Sequence, residues 1–131
     1  MKNEKHHTGF IYWTPRILSI LFICFLALFS LDIFDSEVGF KNIVIGLLMH
    51  NIPSFVLLLI TLVAWKYELV GAVAFALAGL AYAVLVFSGA DELWYTRILW
   101  VVNISGPAFL IAGLYYIGWR RKKDKGDAEI K

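Results

Sequence analysis

The polar and apolar residues of this chain are segregated rather than interleaved. Four uncharged runs, Ile17–Leu31, Asn42–Trp65, Leu69–Ala90 and Ile98–Trp119, hold 83 of the 131 residues, and all 22 Asp, Glu, Lys and Arg residues lie between or outside them. A soluble helix or strand alternates charge with apolarity, so this pattern excludes a soluble domain. An apolar helix of about 20 residues spans a hydrocarbon core of roughly 30 Å at about 1.5 Å per residue. The pattern therefore predicts an all-α bundle of four transmembrane helices. The boundaries follow from the runs and their flanks: a lead-in over 1–14, spans near 15–34, 42–65, 69–88 and 94–119 within a membrane domain of 15–121, and a basic tail over 122–131.

Local signals place the ends. Thr14-Pro15 is predicted to start the first helix, with Thr14 as N-cap and Pro15 at the first helical position, where a missing N–H does no harm. The stretch closes Ala27-Leu28-Phe29-Ser30-Leu31-Asp32, without an Ala-x-Ala-like cleavage site, so an uncleaved span is expected rather than a signal peptide. Lys66-Tyr67-Glu68 is too short to do anything but join antiparallel neighbours. Gly71 to Ala83 is rich in small residues, and Ala72, Ala76, Gly79 and Ala83 draw a smooth stripe suited to close packing, within the bundle or across an oligomer.

Charge adds orientation. The two termini and the Lys66–Glu68 turn carry ten of the twelve Lys and Arg residues, and the other two loops carry only Lys41 and Arg97. With four spans both termini share a side, and the positive-inside rule puts it in the cytoplasm. The bilayer is thus the first partner expected, with a homo-oligomer or another membrane protein second, and no nucleic acid.

A shift of 54 residues superimposes the two halves: Pro53-Ser54-Phe55 falls on Pro107-Ala108-Phe109, and Trp65-Lys66 on Trp119-Arg120. The halves then read either as two repeated helical hairpins or as a chance match of apolar sequence. Pro53 and Pro107 lie near the centres of their spans, and each removes a backbone donor. Close by stand His50, Asn51 and Ser54 in one span and Asn103 and Ser105 in the other. Two readings of this company are open: the side chains satisfy the kinks and glue helices together, or they form a polar midplane site between spans two and four. His50 matters most to the second, as an ionisable group inside the apolar layer.

Ion pairing offers further candidates. Arg97 lies on the outer side with Asp32, Glu37, Asp91 and Glu92, and pairing or snorkelling explains it equally well; Arg16 and Glu68 open spans one and three on the inner side, where a second bridge is possible. The single cysteine, Cys24, excludes an internal disulfide framework or a Cys-rich metal site. No Gly-rich phosphate loop, HExxH or GxSxG motif is present, and loops this short leave no room for a soluble catalytic domain. The expectation is a protein that is not an enzyme and holds no metal or cofactor. Its work would be that of a small membrane scaffold or accessory protein, with a small transporter or channel as the alternative.

The segments Ile11-Tyr12-Trp13-Thr14-Pro15-Arg16-Ile17, Leu31-Asp32-Ile33-Phe34, Pro53-Ser54-Phe55 and Trp65-Lys66-Tyr67-Glu68 carry a resemblance. They are similar to a family of small, uncharacterised prokaryotic four-span membrane proteins classed as a domain of unknown function. The resemblance runs from about Ile11 to Trp119 and implies a prokaryotic cell (inner) membrane protein. It carries no catalytic or binding residues with it.

Overall fold

A computed structural model describes residues 4–35, 39–89 and 93–130. The chain runs as α1 (Glu4–Leu28), a 3-10 extension over Phe29–Asp35, α2 (Phe40–Ala64), α3 (Glu68–Ser88) and α4 (Trp94–Glu129). All four helices are long and apolar enough to cross a membrane, and no strand occurs among the described residues. Their outer faces carry large apolar side chains such as Leu21, Leu59, Leu77 and Leu110, which is the surface a hydrocarbon solvent accepts.

The helices are arranged in a ring in chain order, each packed on its neighbours, with α3 against α4 by far the most extensive contact. The small-residue stripe explains that contact. Gly71 lies so close to its neighbours that a Cβ there would stand 2.8 Å from Ala64 Cβ and 2.9 Å from the Tyr115 ring. One at Gly79 would meet the Phe109 ring at 3.1 Å. In lipid, where apolar burial drives no association, such close backbone approach is what holds helices together. Of the stripe itself, Ala72 and Gly79 are buried within the bundle.

Across the ring, α1 and α3 meet only through large side chains. Phe22 and Phe75 face each other with ring centroids 6.4 Å apart, and Phe75 stacks on Tyr115 at 6.1 Å. Phe75 and Tyr115 are wholly buried and fill the half of the bundle nearer the two termini, the inner half in the orientation expected from the loop charges. Near the middle of the bundle small residues meet instead.

One expectation needs correction. Thr14 does not cap α1 and Pro15 does not open it: the helix already runs from Glu4, eleven residues before Pro15, and Pro15 lies inside it. A proline in a helix leaves one carbonyl of the preceding turn without its donor. Here the carbonyls on either side accept side chains, Phe10 O from Thr14 Oγ1 at 2.6 Å and Tyr12 O from Arg16 Nη1. The basic tail is helical, α4 continuing through it to Glu129. Arg120/Asp124, Lys123/Asp127 and Lys125/Glu129 are oppositely charged pairs at i,i+4 spacing, which favours helix outside the bilayer.

The burial pattern also refines the repeat. A shift of 54 carries the buried Ser54, Leu57 and Thr61 of α2 onto the buried Ala108, Ile111 and Tyr115 of α4. The first helices of the two hairpins match at 53 instead, Ser19 and Phe22 falling on Ala72 and Phe75. The halves share a packing pattern whose register slips by one residue between the helices of each hairpin.

Candidate functional site

The polar residues near Pro53 and Pro107 do not converge. Asn51 Nδ2 donates to Leu47 O at 2.9 Å and Asn103 Nδ2 to Leu99 O at 2.8 Å, so each amide is bonded back within its own helix. Ser105, wholly buried, donates to the Gly79 carbonyl at 2.7 Å and ties α4 to α3. Asn103 and Pro107 line an apolar groove against α1, with Leu18, Leu21 and Phe25. His50, Pro53 and Ser54 face a different space, a cavity of about 300 Å³ between all four helices.

This cavity exists because small side chains meet near the middle of the bundle. Ser54 comes from α2, Ala78 and Gly79 from α3, and Ala108 from α4. Larger residues wall it: Phe22 and Leu26 on α1, Phe29 beyond it, Tyr82 on α3, and Trp100 and Ile104 on α4. His50 is exposed overall and stands at the rim, whereas Ser54 is 5% exposed and its Oγ has no hydrogen-bond partner.

A second polar assembly, at the inner end, ties three helices together. Glu68 Oε1 lies 3.4 Å from Arg16 Nη2 and 2.9 Å from Lys122 Nζ, which joins the start of α3 to α1 and α4. Arg16 is 2% exposed, and its Nη2 also donates to the Trp65 carbonyl at 2.9 Å. Its guanidinium carbon stands 3.5 Å from the centroid of the Tyr12 ring, close enough for a cation–π contact. Lys122 Nζ stands 5.1 Å from the centroid of the same ring. Beneath the ion pair Ser19 Oγ donates to Pro15 O at 2.6 Å and lies 3.3 Å from Tyr115 Oη, which places the tyrosine's polar tip among partners.

The approach of α4 to Glu68 depends on Gly118, where a Cβ would stand 3.0 Å from Glu68 Oε2. At the first turn of α3 the carboxylate also meets the positive end of the helix dipole. Of the ion-pairing candidates, then, Arg16 and Glu68 are joined. Arg97 Nε is buried with no hydrogen bond among the described residues, and the side chains of its candidate partners Asp32, Glu37, Asp91 and Glu92 lie outside them.

Sequence reasoning did not single out Lys122, Tyr12, Ser19, Tyr115 or Gly118 for this assembly. Lys122 is one of four consecutive basic residues, and nothing in the run distinguishes it. Tyr82 and Trp100 at the cavity were missed because aromatic residues are ordinary in apolar spans. Among the described residues no group of three or more His, Cys, Asp or Glu is placed to hold a metal ion.

A family model for a domain of unknown function, DUF7670, matches residues 2–127. The chain belongs to the DUF7670 family. No curated protein and no solved structure matches it. Both polar assemblies of this DUF7670 protein lie within the matched residues.

Proposed function

We propose that the protein is a non-enzymatic accessory or scaffold of a prokaryotic cell (inner) membrane, with both termini in the cytoplasm, acting by packing against a second copy or another membrane protein. The observation that carries this reading is the uneven cover of α2. Its buried residues are Ser54, Leu57, Thr61 and Ala64, all in the inner half, and from Phe40 to Pro53 none is buried. The adjoining parts of α3, from Leu80 to Ser88, and of α4, from Trp94 to Asn103, hold no buried residue either, so this end of the bundle is the surface left for a partner to cover.

The bonding of the polar groups also weighs against the transport alternative. A path for ions or polar solutes needs polar groups that face a common water-filled space. Asn51 and Asn103 are bonded within their helices, Ser105 is bonded to α3, and the cavity that remains is walled mainly by apolar residues. The charge asymmetry of the loops supports the orientation.

The test is photocrosslinking in native membranes from a benzophenone amino acid placed at Leu48 or Met49. The expected result is a discrete protein adduct, whose mass tells a second copy from another protein. Adducts to lipid alone at both positions would overturn the reading.

A further inference from the structure

We infer that the outward face of α4, from Leu99 to Ile117, is a docking surface for a second copy of this chain, the two α4 helices packing parallel about a twofold axis along the membrane normal. This face is not the outer half of α2, and pairing through it does not rest on the reading above. Photocrosslinks from Leu48 or Met49 and pairing through α4 can each occur without the other.

The face differs from the rest of the lipid-facing surface. The buried residues of α4 are Ile104, Ser105, Ala108, Ile111, Ala112 and Tyr115. At about 100° per residue the opposite side carries Leu99, Asn103, Gly106, Leu110, Gly113 and Ile117, every one exposed. The outward sides of the other helices present large aliphatic side chains, such as Leu21 and Leu28 on α1, Leu48 and Leu59 on α2, and Leu77 and Val84 on α3. Gly106 and Gly113 present none, and a Cβ at either would meet nothing within 4 Å. Gly71, Gly79 and Gly118 are different, because close packing inside the bundle needs the missing Cβ there. Glycine weakens a helix relative to alanine, and nothing within one bundle accounts for it at 106 and 113.

The spacing supplies a reason. Leu99, Gly106 and Gly113 recur every seven residues, and Asn103, Leu110 and Ile117 follow each of them by four. These are the two seam positions of a heptad, the pattern on which two helices cross at about 20°. Small residues in such a seam let helix backbones approach closely in lipid.

The glycines alone describe a groove; the amide of Asn103 says what fills it. Asn103 is the tenth residue of α4, about 14 Å from its outer end and so near the middle of a roughly 30 Å hydrocarbon core. It is exposed there, on a side where the only solvent is lipid tails. Its Nδ2 gives one hydrogen to Leu99 O at 2.8 Å, which leaves the second hydrogen and the side-chain oxygen without a partner among the described residues. Lipid tails offer neither a donor nor an acceptor. A second copy offers both at the same depth. Copies inserted in one orientation and related by a twofold axis set Asn103 opposite its own counterpart, where each amide donates to and accepts from the other. A single asparagine at this heptad position is the device that fixes register and strand number in parallel coiled coils.

The test uses the full chain in native membranes, in a Cys24→Ser background, with single cysteines oxidised by copper phenanthroline. Gly106→Cys and Gly113→Cys are expected to give dimers of twice the chain's mass. Leu59→Cys and Leu77→Cys, on the outward sides of α2 and α3, should give few. Dimer affinity is then read in liposomes, by energy transfer between labelled copies as the protein is diluted in lipid. Asn103→Leu should weaken it about tenfold and Gly106→Leu should abolish it. Both positions are exposed, so the fold of the single chain is retained in each variant. No dimer from either glycine position, or dimers formed as readily from Leu59→Cys or Leu77→Cys, would overturn the inference. So would adducts to a different protein from the glycine positions, or an affinity unchanged in Asn103→Leu.

Discussion

Glu68→Ala is the substitution that the inner ion-pair assembly makes most costly. The carboxylate is 4% exposed and receives Arg16 at 3.4 Å and Lys122 at 2.9 Å. Its removal leaves the Arg16 guanidinium, itself 2% exposed, as a buried charge without a counter-ion. Breaking a buried pair in this way costs about 3–5 kcal/mol. The lower end is expected, because Arg16 keeps the Tyr12 and Trp65 carbonyls and the Tyr12 ring. Lys122, 56% exposed, is free to turn to water, so Lys122→Ala should cost less than about 1 kcal/mol. Unfolding of purified protein in mixed micelles, titrated with SDS, measures both. Replacing both partners, in Arg16→Met with Glu68→Ala, should recover part of the loss, with a coupling energy of about 1–3 kcal/mol. Equal costs for Glu68→Ala and Lys122→Ala, or strict additivity in the double variant, would refute the reasoning.

Other substitutions test the packing and the orientation. Gly71→Ala forces a methyl to within 2.8 Å of Ala64 Cβ and should destabilise the bundle by about 1–3 kcal/mol in the same titration, whereas Gly113→Ala, with nothing within 4 Å, should be close to neutral. Ser105→Ala removes the bond to the Gly79 carbonyl and should cost about 0.6 kcal/mol, the average for interhelical hydrogen bonds in a membrane protein. In a Cys24→Ser background, a membrane-impermeant maleimide added to intact cells should label Lys41→Cys and not Lys123→Cys; the reverse labelling would invert the proposed orientation.

The four spans were legible because transmembrane helices announce themselves by length and apolarity alone. The Arg16–Glu68 pair was legible for a related reason: two opposite charges at the inner ends of spans have few places to go. The faces were not legible. Lipid and protein interior are both apolar, so the side of α2 that bears the buried Leu57 and the side that bears the exposed Leu59 look alike in sequence. That is why His50, Asn51, Ser54, Asn103 and Ser105 read as one group although they face in different directions. The start of α1 was misplaced because Thr14-Pro15 has the chemistry of a helix start, and nothing local shows that Thr14 and Arg16 bond to carbonyls of the preceding turn. The small-residue stripe did identify close packing, and the structure supplied its partner in α4.

The central claim is that the polar groups within the bundle bind helices to one another rather than line a path across the membrane. Solute and ion flux into proteoliposomes containing the purified full chain tests it most directly. The account predicts flux no greater than in protein-free liposomes across protons, alkali cations, anions and small neutral solutes. A protein-dependent flux that His50→Ala alters would contradict it.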